Sequence, residues 1–288
     1  MKKLLLAIGL MIGAADAACH AQGLQLINGR PYVGPGDVTP GANLWIGTRC
    51  YSSLYARTRG KMVQLRRSSD SVTTDILCTP SGAMDVNAAM SFCSGTTCFV
   101  AKAYDQTGNG NTGAEVTGAN QPQLIFGKLG SQPCMFFNGG QDLSFTGSVI
   151  AQPISVSYVA QRSGTFSSVN TLFYFFNGGG ISTTFTTSPN TLGMYANFAT
   201  VTATAADSAF HSIQEVVNGA SSTFNVDGTA SGSLNPGAGG ATSPTWTIGN
   251  GGANPLTGYI CEAGMWTSAL STGTQSQLNA NQHAFWGF

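Results

Sequence analysis

From residue 113 onward, apolar and polar positions alternate over short runs, and glycine, asparagine or aspartate closes most of them. Ile154-Ser-Val-Ser-Tyr-Val159 alternates strictly, the period of a strand with one buried face. Leu172 to Phe176 is a continuous apolar run stopped by Asn177 and the glycines after it. Gln123–Phe126, Met135–Phe137, Ile181–Thr187, Thr191–Ala196, Val201–Thr204 and Phe210–Val217 read as further strands. So do Thr245–Ile248, Tyr259–Trp266, and Thr223–Gly228 with its Asp-Gly turn. Gly232–Ser243 is a low-complexity loop. Helical signals fall in the first third and at the end. Leu44, Ile46, Leu54 and Tyr55 give partial helical period over Leu44–Arg57, Asp85 caps Val86–Phe92, and Ser271 caps a helix over roughly Thr272–Ala284. Met62–Leu65 reads as a short strand and Asp75–Pro80 as a connection. Many short strands with few helices predict an all-β, two-sheet sandwich.

The first residues change the compartment. Lys2 and Lys3 form a basic region, Leu4–Ile12 an apolar one, and small residues around Ala17 or Ala21 offer cleavage sites. The apolar run is too short to span a bilayer, and no later run is longer. The expectation is a signal peptide over 1–21, an irregular Gly/Pro-rich arm over 22–43 and one sandwich domain over 44–288, secreted to the extracellular space or periplasm. Lipid attachment at Cys19 is disfavoured by Asp16. Cleavage after Ala21 removes Cys19 and leaves six cysteines, an even number that predicts disulfides. Spacing pairs Cys93 with Cys98; Cys50, Cys78, Cys134 and Cys261 keep three connectivities open.

Charge excludes some partners. The formal net charge is zero and only 8% of residues are charged, which argues against nucleic acid. The basic run Arg57–Arg67 reads as a solvated edge strand. Neither His211 nor His283 has ligand spacing from a Cys pair, so no zinc, and no other metal or cofactor, is expected. No Gly-x-Ser-x-Gly elbow or phosphate-cradling loop is present, and nothing in the sequence sets an oligomeric state.

The chemistry candidates centre on Phe92–Asn111. A tight turn between Cys93 and Cys98 is followed by the apolar-rich run Phe99–Ala103 and a polar loop, Asp105–Asn111. A strand delivered into such a loop is a common place for a site. Tyr104, Asp105 and Asn109 are therefore candidate ligand-binding residues. Calcium through Asp105 and Asn109 is the bolder reading; one carboxylate in the loop favours a hydrogen-bonded turn.

Two stretches carry a resemblance. Ile248-Gly249, Gly258–Trp266 and Ser268–Ser271, with His211 and Asn225–Gly228 upstream, resemble the concanavalin-like, laminin-G-type jelly roll. Leu54-Tyr55, Val63–Asp70, Thr74–Ile76, Phe92–Cys98 and Tyr104–Asn111 resemble, in order, the catalytic domain of the α-L-arabinofuranosidase B family, glycoside hydrolase family 54. The resemblance runs over about residues 50 to 285, and no arabinose-binding trefoil module is expected after it. It implies retaining hydrolysis of terminal α-L-arabinofuranosides from plant polysaccharide, by a nucleophile and an acid/base ~5–5.5 Å apart.

This sequence departs from that pattern at both acids. The family's acid/base place, in the loop Gly249–Asn254, holds Ala253. Its nucleophile place, in Thr191–Phe198, holds Tyr195, and no Asp or Glu stands between Asp142 and Asp207. Asp207, Glu215, Asp227 and Glu262 remain in the late half; Glu215 and Glu262 are the candidate replacements, and Asp227 reads as a turn residue. Glu215 shares a face with Ile213 and Val217. Tyr174, Tyr195, Trp246, Tyr259 and Trp266 could stack on sugar rings, with Asn254 beside them. Three readings follow: a glycan-binding protein without the hydrolase acids, an active arabinofuranosidase with relocated carboxylates, or a structural or surface-presentation module.

Overall fold

The computed structural model describes residues 26–27, 30–147, 150–163, 170–175, 181–186, 191–196, 199–204, 208–240, 244–249 and 254–288. The expected signal peptide, Asn197, Asp207 and Ala253 lie outside them. The first third holds β1 (Leu26–Ile27), β2 (Arg30–Pro31), α1 (Pro35–Val38), β3 (Leu44–Gly47), α2 (Ser53–Arg57), β4 (Lys61–Arg67), β5 (Thr73–Leu77), α3 (Val86–Phe92) and β6 (Cys98–Ala103). β7 (Gly113–Ala114), β8 (Gln123–Leu129), β9 (Gln132–Asn138), β10 (Leu143–Thr146), β11 (Ile154–Arg162), β12 (Asn170–Phe175) and β13 (Ile181–Phe185) follow. The remainder is β14 (Thr191–Ala196), β15 (Ala199–Thr204), β16 (Phe210–Val217), β17 (Thr223–Val226), β18 (Thr229–Ala230), β19 (Thr245–Ile248), β20 (Thr257–Trp266) and α4 (Thr272–Trp286).

Antiparallel pairing builds two layers. One runs β5–β4–β6–β7–β10–β19–β12–β13–β14–β15. The other runs β17–β16–β11–β20, and β20 pairs with β3 along one half and β9 along the other. Phe145, Trp246, Leu192 and Met194 of the first layer and Val156, Tyr158, Ile213 and Met265 of the second are all buried. The Phe145 and Trp246 rings stack, with centroids 4.3 Å apart. This is the expected jelly-roll sandwich. Disulfides join Cys50 to Cys78, Cys93 to Cys98 and Cys134 to Cys261, which selects one of the three open connectivities.

Several local expectations change. Leu44–Gly47 is a strand, not the start of a helix, because all four residues are buried and pair with β20. Gly47 lies so close to β20 that a Cβ there would meet the Cys261 carbonyl oxygen at 2.4 Å. The helix begins only at Ser53, where the Ser52 hydroxyl accepts from the Tyr55 amide. Thr73–Leu77, expected to run into a connection from Asp75, pairs with β4. The basic β4 therefore lies between β5 and β6 and is no edge strand. The arm expected to be irregular contains α1, with Asp37 accepting from the Gly34 and Ser53 amides, each at 2.7 Å. β11 is buried on both faces rather than one, since α4 covers Ser157 and the segment before it, at Ser268 and Leu270, covers Ser155.

Candidate functional site

The two candidate acids leave their sheet on opposite faces. Glu215 stands opposite Val156 in register and faces the sandwich core. The Thr183 hydroxyl, from the other layer, donates to its Oε2, and the Tyr158 hydroxyl is 3.3 Å from Thr183. Burial pushes the Glu215 carboxyl up to about 8, so it is a neutral acid near pH 7. Glu262 stands opposite Val159, as does Ser212, on the side that α4 covers. Gln282 of α4 donates to Glu262 Oε1 at 2.9 Å, and the Arg49 guanidinium is 3.7 Å from the same oxygen. Burial raises the Glu262 pKa and Arg49 opposes the rise. Both acids are fully buried. A sheet separates them, so they do not form the facing pair that retaining hydrolysis needs.

Tyr195 occupies an outward position on β14, half-buried, opposite Ser182 and Thr200. Its neighbour Met194 faces the core. Asn254 is exposed, and its carbonyl accepts from the Thr171 amide. Trp246 and Trp266, expected as possible sugar platforms, are instead core residues packed on Phe145 and Trp45. Tyr259 is half-buried between Phe136 and the Lys128 ammonium, which lies 4.0 Å from its ring centroid. Tyr174 stands opposite Thr247 and Ser182 in register.

The Asp105–Asn111 loop is a brace. Asp105 accepts from the amides of Trp45, Thr107 and Asn111 and from the Thr107 hydroxyl. The Asn109 side chain donates to the carbonyls of Ala42 and Asn43. These bonds fasten the loop to the entry of β3, and they use the Asp105 oxygens that a cation would need. No His, Cys, Asp or Glu group among the described residues is arranged to hold a metal ion. Tyr104 donates to Asp75 at 2.7 Å, and Lys61 pairs with the same carboxylate at 2.8 Å.

Two clusters went unnoticed in the sequence. Asp142 is pushed up to about 6 by burial and by the Glu115 carboxyl to which it is hydrogen-bonded. The two acids come together because β7 pairs with β10, Ala114 opposite Ser144, a contact with no local sequence signal. Asp227 sits in a left-handed turn conformation, with His211 Nδ1 at 2.6 Å and His283 Nε2 of α4 at 3.5 Å. Burial works against its charge, but His211 and the Ser212 amide hold its carboxyl below the usual range.

Residues 37–126 match the family model described as alpha-L-arabinofuranosidase B, catalytic. The resemblance is to arabinofuranosidase B. Alpha-L-arabinofuranosidase B of Aspergillus niger is 45% identical over 60 residues, 20% of this chain and 12% of the relative. The probable alpha-L-arabinofuranosidase B of Aspergillus fumigatus is 35% identical over 102 residues, 33% of this chain and 19% of the relative. The matched stretch is thus under a fifth of the length of either relative. A glycoside hydrolase family 54 α-L-arabinofuranosidase mutant soaked with 4-nitrophenyl α-L-arabinofuranoside superposes with a TM-score of 0.70 at 20% identity, over 88% of this chain and 66% of that one. An arabinofuranosidase complexed with arabinofuranosyl-α-1,2-xylobiose gives 0.69 at 19%, over 88% and 65%. The sequence match with the arabinofuranosidase B family covers the braced loop and the Cys93–Cys98 turn; the structural match extends the fold over most of the chain.

Proposed function

We propose that this protein is an exported glycan-binding protein that uses an arabinofuranosidase-B-like sandwich without the family's hydrolytic acids. The observation that carries the reading is the placement of carboxylates. Tyr195 and Ala253 occupy the acid positions that the resemblance implies, and neither residue can attack an anomeric carbon as a carboxylate or give a proton as a carboxylic acid. Glu215 and Glu262 are sealed on opposite faces of one sheet. A sugar ligand is in keeping with the similar arabinofuranosidase complexed with arabinofuranosyl-α-1,2-xylobiose. Export fits the leader-like first residues and the three disulfides.

Hydrolysis by relocated acids has one observation in its favour, the Glu115–Asp142 pair beside the β7–β10 pairing. In that pair the Glu115 carboxyl raises the Asp142 pKa, as one acid of a shared site raises another. The deciding experiment incubates the mature protein with an aryl α-L-arabinofuranoside and passes it over immobilised arabinan and arabinoxylan. Retention without turnover is the expected result. Turnover lost in Asp142→Asn would restore the hydrolase reading, and neither retention nor turnover would leave a presentation module.

A further inference from the structure

α4 covers the outer face of the second layer only as far as Trp286, which packs in one buried cluster with Val159, Cys134 and Cys261. Two residues on, along the same three strands, stand Gln161, Phe136 and Tyr259, paired in one row from β11 to β20 to β9. Phe210 of β16 continues the row opposite Gln161. These four residues are half-buried, and Ser208 and Ala209 beside Phe210 are exposed. The Cys134–Cys261 disulfide fastens β9 to β20 next to the Phe136 and Tyr259 rings, whose centroids are 4.7 Å apart. A bulge in β8 aims a cation at them. Between the pairs Ile125–Cys134 and Leu129–Gln132, β8 has three residues where β9 has one, and Gly127 among them takes a left-handed φ of 61°. The half-buried Lys128 then brings its ammonium 4.0 Å from the Tyr259 ring centroid and 5.6 Å from that of Phe210. Among the described residues that ammonium has no ion-pair partner, and the Tyr259 hydroxyl has no hydrogen-bond partner. The only acids on the four strands of the row, Glu215 and Glu262, are sealed in the core and under α4.

From this geometry we propose that the end of the second layer left open by α4 binds an acidic polysaccharide, with a uronate carboxylate at Lys128. The inference rests on the glycan-binding reading for the ligand being a glycan; it adds a site in the layer that does not hold Tyr195, and a charge to the ligand. Any ligand laid over the row covers an ammonium that no protein carboxylate neutralises. A neutral chain would strip water from that ammonium and return no counter-charge. A uronate returns one, in a charge-assisted hydrogen bond. The Tyr259 hydroxyl can donate or accept beside it. Phe136 and Phe210 give the C–H face of a pyranose ring apolar surface on which to lie. The disulfide and the Trp286 cluster hold these groups in place before a ligand arrives, which lowers the ordering cost of binding.

The test compares retention of the mature protein on polygalacturonate, neutral galactan and arabinan gels at low and high salt. The variants are Lys128→Gln and Lys128→Arg, with Arg57→Gln on α2, an exposed cation outside the row, as the control. Thermal melting checks that each is folded; should Lys128→Gln fail to fold, Gln161→Glu, which sets a carboxylate into the row, carries the test and should weaken retention likewise. The expected result is retention on polygalacturonate that falls as salt rises, weakened on the order of tenfold by Lys128→Gln. Lys128→Arg should restore it, and Arg57→Gln should bind as the parent does. Retention on arabinan should be the same in all of them. Polygalacturonate retention that survives Lys128→Gln, or that Arg57→Gln weakens equally, would overturn the site and leave glycan binding standing. Equal retention on galactan and polygalacturonate, or retention on arabinan alone, would overturn the ligand class and again leave glycan binding standing. No retention on any gel would remove the glycan-binding reading and this inference with it.

Discussion

Two groups of strands in the sandwich treat charge in opposite ways. β10, β19 and β12 to β15 carry none, whereas β11, β16 and β20 bury Arg162, Glu215 and Glu262. The difference lies in what covers each layer. The second layer has core on one face and α4 on the other, and the helix brings Gln282, while Arg49 from just beyond β3 lies beside Glu262. A sheet covered twice can hold a charge only if the covers supply its partners. In the six uncharged strands Phe145, Trp246, Leu192 and Met194 face the core, and Thr146, Thr184 and Tyr195 alternate with core positions. Buried acidity in this protein therefore marks a structural seam.

The largest test of that contrast removes Arg49. Its guanidinium also donates to the Tyr32 hydroxyl, the Val33 carbonyl and Asn281. Arg49→Met should lower stability by about 3–5 kcal/mol in urea unfolding, because Glu262 is left buried without its counter-charge. A loss below about 1 kcal/mol would mean that α4 seals the seam without it.

Glu215 comes next. Its folded-state pKa, about 8, lies above its ordinary value of 4.5, so the proton favours the folded chain. The stability that the proton supplies is whole below pH 4.5 and is lost as pH rises towards 8. By pH 7 the loss is about 3 kcal/mol. Glu215→Gln should flatten that slope in melts from pH 4.5 to 8 and melt higher than the parent at pH 8. A parent without the slope would show that Glu215 ionises freely and is not sealed.

Asp85→Ala calibrates the scale outside both layers. The Asp85 carboxylate caps α3 by accepting from the Ala88 amide, so its loss should cost about 1 kcal/mol in the same unfolding assay. The smallest effect is expected at Glu115→Gln. Asp142 is raised to about 6 by burial and by Glu115, so the stability tied to its proton is lost as pH rises through 6. Relieving the like charge should raise melting above pH 6 by a small margin, under about 1 kcal/mol after solvent screening, with no change near pH 4.

The sequence disclosed what local pattern controls. Asp85 and Ser271 cap helices that begin where expected, and Thr191–Ala196, Phe210–Val217 and Thr245–Ile248 are strands with the expected bounds. It misread Leu44–Gly47 because a four-residue strand leaves too little period to outweigh the helical signal after it, and its partner in β20 is more than 200 residues away. It could place Glu215 beside Ile213 and Val217 but could not place Glu262 on the other face. That outcome depends on the register shift between Val159 and Ala160 and on α4 lying over the result. The Glu115–Asp142 contact was hidden for the same reason, since only the β7–β10 pairing creates it.

The seam under α4 also dictates an order of events during synthesis. β3 is made early, β20 and α4 late, yet Arg49, Glu262 and Gln282 close over one another. Until residues 272–286 leave the ribosome, Ser157, Gln214 and Glu262 lack the Gln282 side chain that bonds all three. A nascent chain of this kind cannot close that seam before its last helix has been made.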